Sequence, residues 1–345
     1  MPHYRARPVA VSAAAGSLIF CLACSSGLAA EASDPTTRPD HGAASTAASA
    51  GLAPPGQVGG CRVFPRNNSW NAAITELDVD SHSDAWMSHM SPDSHLHPDF
   101  GRSGRRFPYG VPITVVDDTH AKLSVTFQYD HESDHVPYPL GSDTRIEGGR
   151  RSDGDRHAVI VDSSTCRLYE TYATRTNNGE WFAGSGATWD LHSNDLRHDG
   201  WTSADAAGLP ILPGLLRYDE VEEDGLVTHA IRFTTDETQT RHIWPARHDA
   251  GSTSSPSYPP MGARFRLTAG FPLEGYRADT VVVLDALRTY GLVLADNGSP
   301  WFFQGSADRR WPSGLLDELK TIPASAFEAV HTRPLQVRRG SGATH

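Results

Sequence analysis

The run HAVIVDSSTCRLYETYA, residues 157–173, decides the fold class. Its two halves, HAVIVD (157–162) and CRLYETYA (166–173), are short and rich in Val, Ile, Thr and Tyr, and turn residues bound them. That composition fits a pleated, half-buried surface, so each half reads as a β-strand. Similar runs recur outward along the chain: PITVV (112–116), KLSVTFQY (122–129), THAIRFTT (228–235) and GARFRLTA (262–269). In KLSVTFQY the period of two puts Leu123, Val125, Phe127 and Tyr129 on one face. Helical patterns are few. ADTVVVLDALRTYG (278–291) closes on Gly291, SGLLDELKTI (313–322) stops before Pro323, and a short helix is expected within residues 74–90. Many short strands with a few peripheral helices predict a mainly β fold, a β-sandwich of jelly-roll type, with a distorted barrel as the alternative.

The N-terminus reads as an export signal. Arg5 and Arg7 precede an apolar stretch from Val9 to Cys24, and small residues follow around Gly27 to Ala30. Cleavage after Ala29 or Ala30 gives a secreted protein; lipidation of Cys24 gives an anchored lipoprotein. Residues 31–58 hold almost nothing large and apolar, which predicts a flexible tether. One β-rich domain is expected over 59–335, and residues 336–345 are expected to fray. No run in the mature chain reaches the length of a transmembrane helix. Loss of the two arginines of the signal takes the formal net charge from −11 to −13. Such an acidic chain disfavours nucleic acid and anionic membranes as partners. Cys61 and Cys166 are the cysteines left in the mature chain, and an exported pair predicts one disulfide.

DRHAVIVDSSTCRLYETY, GSGATWDL, GWTSADAAGLPILPGLLRYDEV, PPMGARFRL and YGLVLADNGSPW together resemble a family of exported bacterial proteins of unknown function. The resemblance covers most of residues 59–330. It implies a single domain and carries no catalytic residue.

Several chemistries lack their motifs. G-x-S-x-G, H-E-x-x-H, paired C-x-x-C, Walker and dinucleotide signatures are missing from the sequence. What remains is carboxylate-rich. YDHESDHVPYP (129–139) gathers Asp130, His131, Glu132, Asp134 and His135 after a strand. If it stays extended, Glu132 and Asp134 face one side and can divide acid and base roles; a solvated turn is the bland alternative. GATWDLHSNDLRHDGWTSADAAGLPILPG (186–214) reads as a long structured loop. There Trp189 and Trp201 can stack on sugars, Asn194 and Arg197 can donate to hydroxyls, and Asp190 and Asp205 are further acids. The alternative is core with polar ends. His157, beside Asp155 and Arg156, is the histidine placed best for proton transfer, ahead of His229, His242 and His248. Trp301, after the turn residues Asp296, Asn297 and Gly298, is expected at a cleft edge, and Asp99 is a further loop acid. No cofactor is expected, and no ligand spacing marks a metal site.

The expected activity is glycoside hydrolysis of a polysaccharide or cell-envelope glycan, with Glu132 or Asp134 paired to Asp190 or Asp205. A polysaccharide lyase, with His157 or a Tyr as base and Arg197 or Asn194 neutralising the uronate, and a non-catalytic glycan-binding protein, are the alternatives.

Overall fold

A computed structural model describes residues 56–102 and 107–345. The expected signal segment, Cys24, and residues 31–55 of the expected tether lie outside the described residues. Gln57 and Val58, inside that expected tether, are strand. A two-residue ladder joins β1 (Gln57–Val58) to β2 (Cys61–Arg62) across Gly59 and Gly60. Helix α1 (Ser83–Ser88) lies where a short helix is expected, and β3 (His97–Pro98) and β4 (Ile113–Val116) follow. Then come β5 (Val125–Phe127), β6 (Ala158–Asp162), β7 (Arg167–Tyr172), β8 (Arg175–Asn177), β9 (Glu180–Ala183) and β10 (Ser185–Asp190). The second half holds β11 (Ile231–Thr235), β12 (Arg264–Leu267), α2 (Ala278–Thr289), β13 (Leu292–Asn297), β14 (Phe302–Phe303), α3 (Ser313–Leu319) and β15 (Phe327–Val330).

The fold is mainly β. Its larger sheets run β10-β7-β6-β4 and β15-β12-β13-β11-β14-β3, and β5-β9-β8 forms a third. A jelly roll does not describe this pairing, because its strands are antiparallel. Here β4–β6, β5–β9, β11–β13 and β14–β3 run parallel. Parallel neighbours need long crossovers, and β12 with α2 supplies the one between β11 and β13. Strand composition carries no direction, so the sequence pattern could not distinguish these arrangements.

Every residue of β6 is buried. Its side chains alternate between two cores: Val159 and Val161 join the main core, while Ala158 and Ile160 join a smaller one with Phe127, Tyr138 and Trp181. In β7, Leu168 and Tyr169 divide the same way, so this sheet is the wall between the two. Glu170 falls on the main-core side, opposite Val159 and Ala187. The expected face of 122–129 holds only in part. Just Val125–Phe127 is strand; Phe127 is buried, while Leu123 and Tyr129 are exposed.

The Cys61–Cys166 disulfide is present, with Cα atoms 5.4 Å apart. The last ten residues are packed and not frayed. Ser341 and Thr344 are buried, Gly342 N donates to Asn194 O at 2.7 Å, and Ser69 N donates to Gly342 O at 2.7 Å. Trp301 is a core residue and lies on no cleft edge. It is fully buried against Phe233, Phe265 and Phe327, and its Nε1 donates to Met90 O. Among the described residues no helix is long and apolar enough to cross a membrane.

Candidate active site

The segments around residues 134 and 189, distant in sequence, do meet. Asp134, Trp189, Asp190, Arg197 and Trp201 border one hollow of about 350 Å³. Local structure differs from expectation on both sides. Asp130–Glu132 is a 3₁₀ turn instead of extended chain, and Ser185–Asp190 is the edge strand β10 instead of loop. Asp134 takes the place of a further strand beside β10. Its N–H donates to Gly186 O at 3.0 Å, and its Oδ2 accepts from Thr188 N and from Arg197 Nη1, each at 2.8 Å.

That engagement fixes the hollow as architecture. Glu132 does not line it: its Oε2 accepts from Thr202 N at 3.0 Å. Trp189 is buried and Trp201 half-buried, and both rings flank the Arg197 guanidinium, at 5.8 and 5.6 Å. The rings therefore hold a cation of the protein itself. Asn194 is turned away, exchanging amide hydrogen bonds with Asn67 and Asn68. Asp190 is solvent-exposed and caps its own turn through His192 N at 2.9 Å. Asp205 is absent from this hollow altogether.

A second hollow, of about 260 Å³, is where Asp205 leads. Asp205 is fully buried and forks onto Arg232 of β11, which gives it Nε at 2.8 Å and Nη2 at 2.6 Å. Arg232 Nη1 donates to Gln304 Oε1 at 2.7 Å. Gln304 Nε2 reaches Asp99 Oδ2 at 3.4 Å, and the Tyr109 hydroxyl donates to Asp99 Oδ1. Thr234 and Asp296 are cross-strand partners in β11–β13, just past a register shift at Phe233/Thr234. The lining is thus assembled from Asp99, Glu147, Asp155, His157, Arg232, Thr234, Asp296 and Gln304.

His157 precedes β6 and is buried. Its Nδ1 meets Glu147 Oε2 at 2.7 Å, and its Nε2 meets Ala204 O at 3.2 Å. Both partners only accept, so both ring nitrogens donate and the ring is an imidazolium. Burial pulls its pKa down, but the Glu147 charge and hydrogen bond outweigh this and raise it to about 9. The expected role of His157 as a base is therefore corrected: at neutral pH it has no lone pair to offer. Burial pushes Glu147 up, and the imidazolium outweighs that too, holding the carboxylate below its usual range.

Asp296 is the opposite case. Burial first, then the Asp205 charge, push it up to about 7, against the pull of Arg232. Its Oδ1 accepts from Asn297 N at 2.7 Å, and its Oδ2 has no donor among the described residues. Glu170 is likewise raised to about 7 by burial, although it accepts from Ile211 N and Leu212 N; it sits beneath the site and does not line it. Another hollow, of about 1020 Å³, is lined by Phe107, glycines and Arg145, Arg150 and Arg151, with no carboxylate or histidine among its described lining residues. Among the described residues no group of three or more His, Cys, Asp or Glu is arranged to hold a metal ion.

The chain matches no family model, no curated protein and no solved structure. Its site therefore has to be read from its own geometry.

Sequence reasoning missed Glu147, Arg232 and Gln304, and took Asp296 for a plain turn residue. One signal was available. Arg232 in AIRFTT and Glu170 in LYETY are charges inside otherwise strand-like runs, and a charge inside a strand is seldom buried unless paired.

Proposed function

We propose that this chain is an exported glycoside hydrolase acting at the Asp296 hollow on a polysaccharide or cell-envelope glycan. Asp296 gives its proton to the leaving glycosidic oxygen, and Glu147 is the ionised partner. One observation carries the reading: two carboxyl groups line one hollow and their surroundings push them apart, Asp296 up to about 7 and Glu147 below its usual range. That division of labour is what glycosidic cleavage requires. Arg232 and His157 keep the floor charged and rigid, and Gln304, Thr234 and Asn297 add polar groups suited to hydroxyls. The volume, about 260 Å³, lies near the small end of ligand pockets and suits a single sugar unit.

The lyase reading is weaker because one of its expected bases, His157, is an imidazolium bound on both sides. The binding-protein reading is weaker because the rings of Trp189 and Trp301 are buried. The disulfide suits an oxidising compartment, in keeping with secretion or with anchoring through Cys24.

A panel of polysaccharides incubated with the purified chain tests this. Asp296→Asn and Glu147→Gln should each lower kcat by about a hundredfold or more, while Asp190→Asn, in the other hollow, leaves it unchanged. Cleavage at the wild-type rate in both hollow variants removes the assignment.

A further inference from the structure

Beside the Asp296 hollow lies the wider one of about 1020 Å³. Ile146 and Gly148 line it, while Glu147 between them lines the Asp296 hollow; Gly110 and Pro112 do the same on either side of Val111. We propose that the wider hollow is a binding site for an acidic oligosaccharide, whose carboxylates meet its arginines and whose sugar faces rest on its apolar wall. Such a site stands apart from hydrolysis at Asp296 and needs none of it. The chain has a formal net charge of −11, yet Arg145, Arg150 and Arg151 converge here with no acid among the described lining residues. Ser152 N donates to Gly149 O at 2.9 Å, and this turn carries Arg150 and Arg151 at its apex. Arg150 is oriented in advance: its guanidinium lies 5.6 Å from the centre of the Trp181 ring, and its Nη2 donates to Gly141 O at 2.7 Å. Arg145 and Arg151 are exposed, and their guanidinium groups have no hydrogen bond or ion pair among the described residues. The acids nearest in sequence are engaged or turned away. Asp143 meets His120 at 3.2 Å and Glu147 meets His157 at 2.7 Å, while Asp153 and Asp155 are exposed outside the lining.

A guanidinium presents a planar fork of donors that matches a carboxylate, and a charge-assisted pair of this kind is stronger than a neutral hydrogen bond. The rest of the lining says what carries the acid. Phe107 packs over Gly149, where a Cβ would stand 2.3 Å from the ring, yet the ring remains 45% exposed. With Pro108 and Pro112 it forms an apolar wall opposite no partner of its own size. The C–H face of a sugar ring fits such a wall; a bare phosphate would use the arginines and leave the wall idle. The volume is at the upper end of ligand pockets, which suits several linked units and not one. A long polyanion such as a nucleic acid would have to run on over the acidic remainder of the chain, which repels it.

Titration calorimetry on the full chain tests this, with trigalacturonate, maltotriose and a short single-stranded DNA as probes. The expected result is trigalacturonate bound about tenfold or more tighter than maltotriose, with an affinity that falls as salt is added. Replacing both exposed arginines, Arg145→Gln with Arg151→Gln, should bring the two trisaccharides within about twofold of each other. An unchanged Tm shows that this variant is folded, and Arg145→Lys with Arg151→Lys, which keeps the charge and loses the fork, should restore part of the preference. Equal binding of the two trisaccharides, binding of neither, or a preference that survives the glutamine variant overturns the inference. So does DNA bound as tightly as trigalacturonate. Each of these leaves the hydrolase reading untouched, and trigalacturonate preference in a chain that cleaves no glycan supports the inference while removing the hydrolase.

Discussion

His157 shows how much a single residue depends on its partner. As a lone histidine before a strand it reads as a proton carrier; beside Glu147 it is a fixed cation. Its folded pKa of about 9 lies above its ordinary 6.5, so the stabilisation it brings is fully present below pH 6.5 and lost as pH rises through 9. Glu147 is the same pair seen from the other side: its contribution is present above its ordinary value and lost as acid protonates it. Asp296 and Glu170, both raised to about 7, hold extra protons in the fold and make stability fall as pH climbs from their ordinary range towards 7. Only the His157 window extends well beyond that. Between pH 7.5 and 9.5 the wild-type Tm should fall, by an amount corresponding to about 2 kcal/mol, and His157→Gln should be nearly level there. A level wild-type curve contradicts the imidazolium. Neither this pair nor Asp205–Arg232 was legible in the sequence, because each joins residues that belong to different segments. Only the oddity of a charge inside a strand pointed towards them.

At the scale of elements the sequence was more readable. Runs of β-branched and aromatic residues located β4, β6, β7 and β12 within a residue or two at each end, and β11 within three, since alternation and turn residues are local properties. Direction and neighbour are not local, which is why the parallel pairs went unseen. Residues 129–139 misled for a related reason: Asp130–Glu132 curls into a turn so that Asp134 can serve the edge of β10. The end of α2 was read correctly, and Gly291 shows why. Its φ is +72°, its N–H donates to Ala286 O at 3.0 Å, and a Cβ there would stand 2.2 Å from Phe265 O. Backbone atoms cannot swing aside as a side chain does, and β13 starts at the next residue. Gly291→Ala should therefore cost about 2–4 kcal/mol, combining left-handed strain with a displaced β12 carbonyl. Gly270→Ala, with nothing within 4 Å of its would-be Cβ, should be near neutral. Denaturant midpoints of the two variants give the comparison, and equal midpoints would remove the close-approach argument.

Across the whole molecule, contacts remote in sequence hold the ends in place. The disulfide joins residues 105 apart and fixes β2 beside the turn before β7. The C-terminal segment does the corresponding work at the other end, although RRGSGATH offers no large apolar residue to advertise it. It is held through its backbone, which side-chain composition cannot reveal. Leu196 N donates to Gly340 O at 3.2 Å, Thr344 N to Asn67 O at 2.7 Å and Trp244 Nε1 to Ser341 O at 2.8 Å. Asn194, expected to hold sugar, instead binds this segment and Asn68, which is itself buried. Removing residues 336–345 leaves the N–H of buried Ser69, the Asn194 carbonyl and the Trp244 indole without partners. Buried polar groups stranded in this way cost about 1–3 kcal/mol each, reduced wherever water reaches them. For a domain of this size the truncated chain should melt about 5–10 °C below the full chain. It should also loosen the hollow around Trp201, since Arg247 spans from Arg197 O to Arg339 O. Near-ultraviolet circular dichroism and thermal melts of both chains measure the two effects. An unchanged Tm would return the segment to the frayed tail that its composition suggests, and would free Asn194 for a ligand.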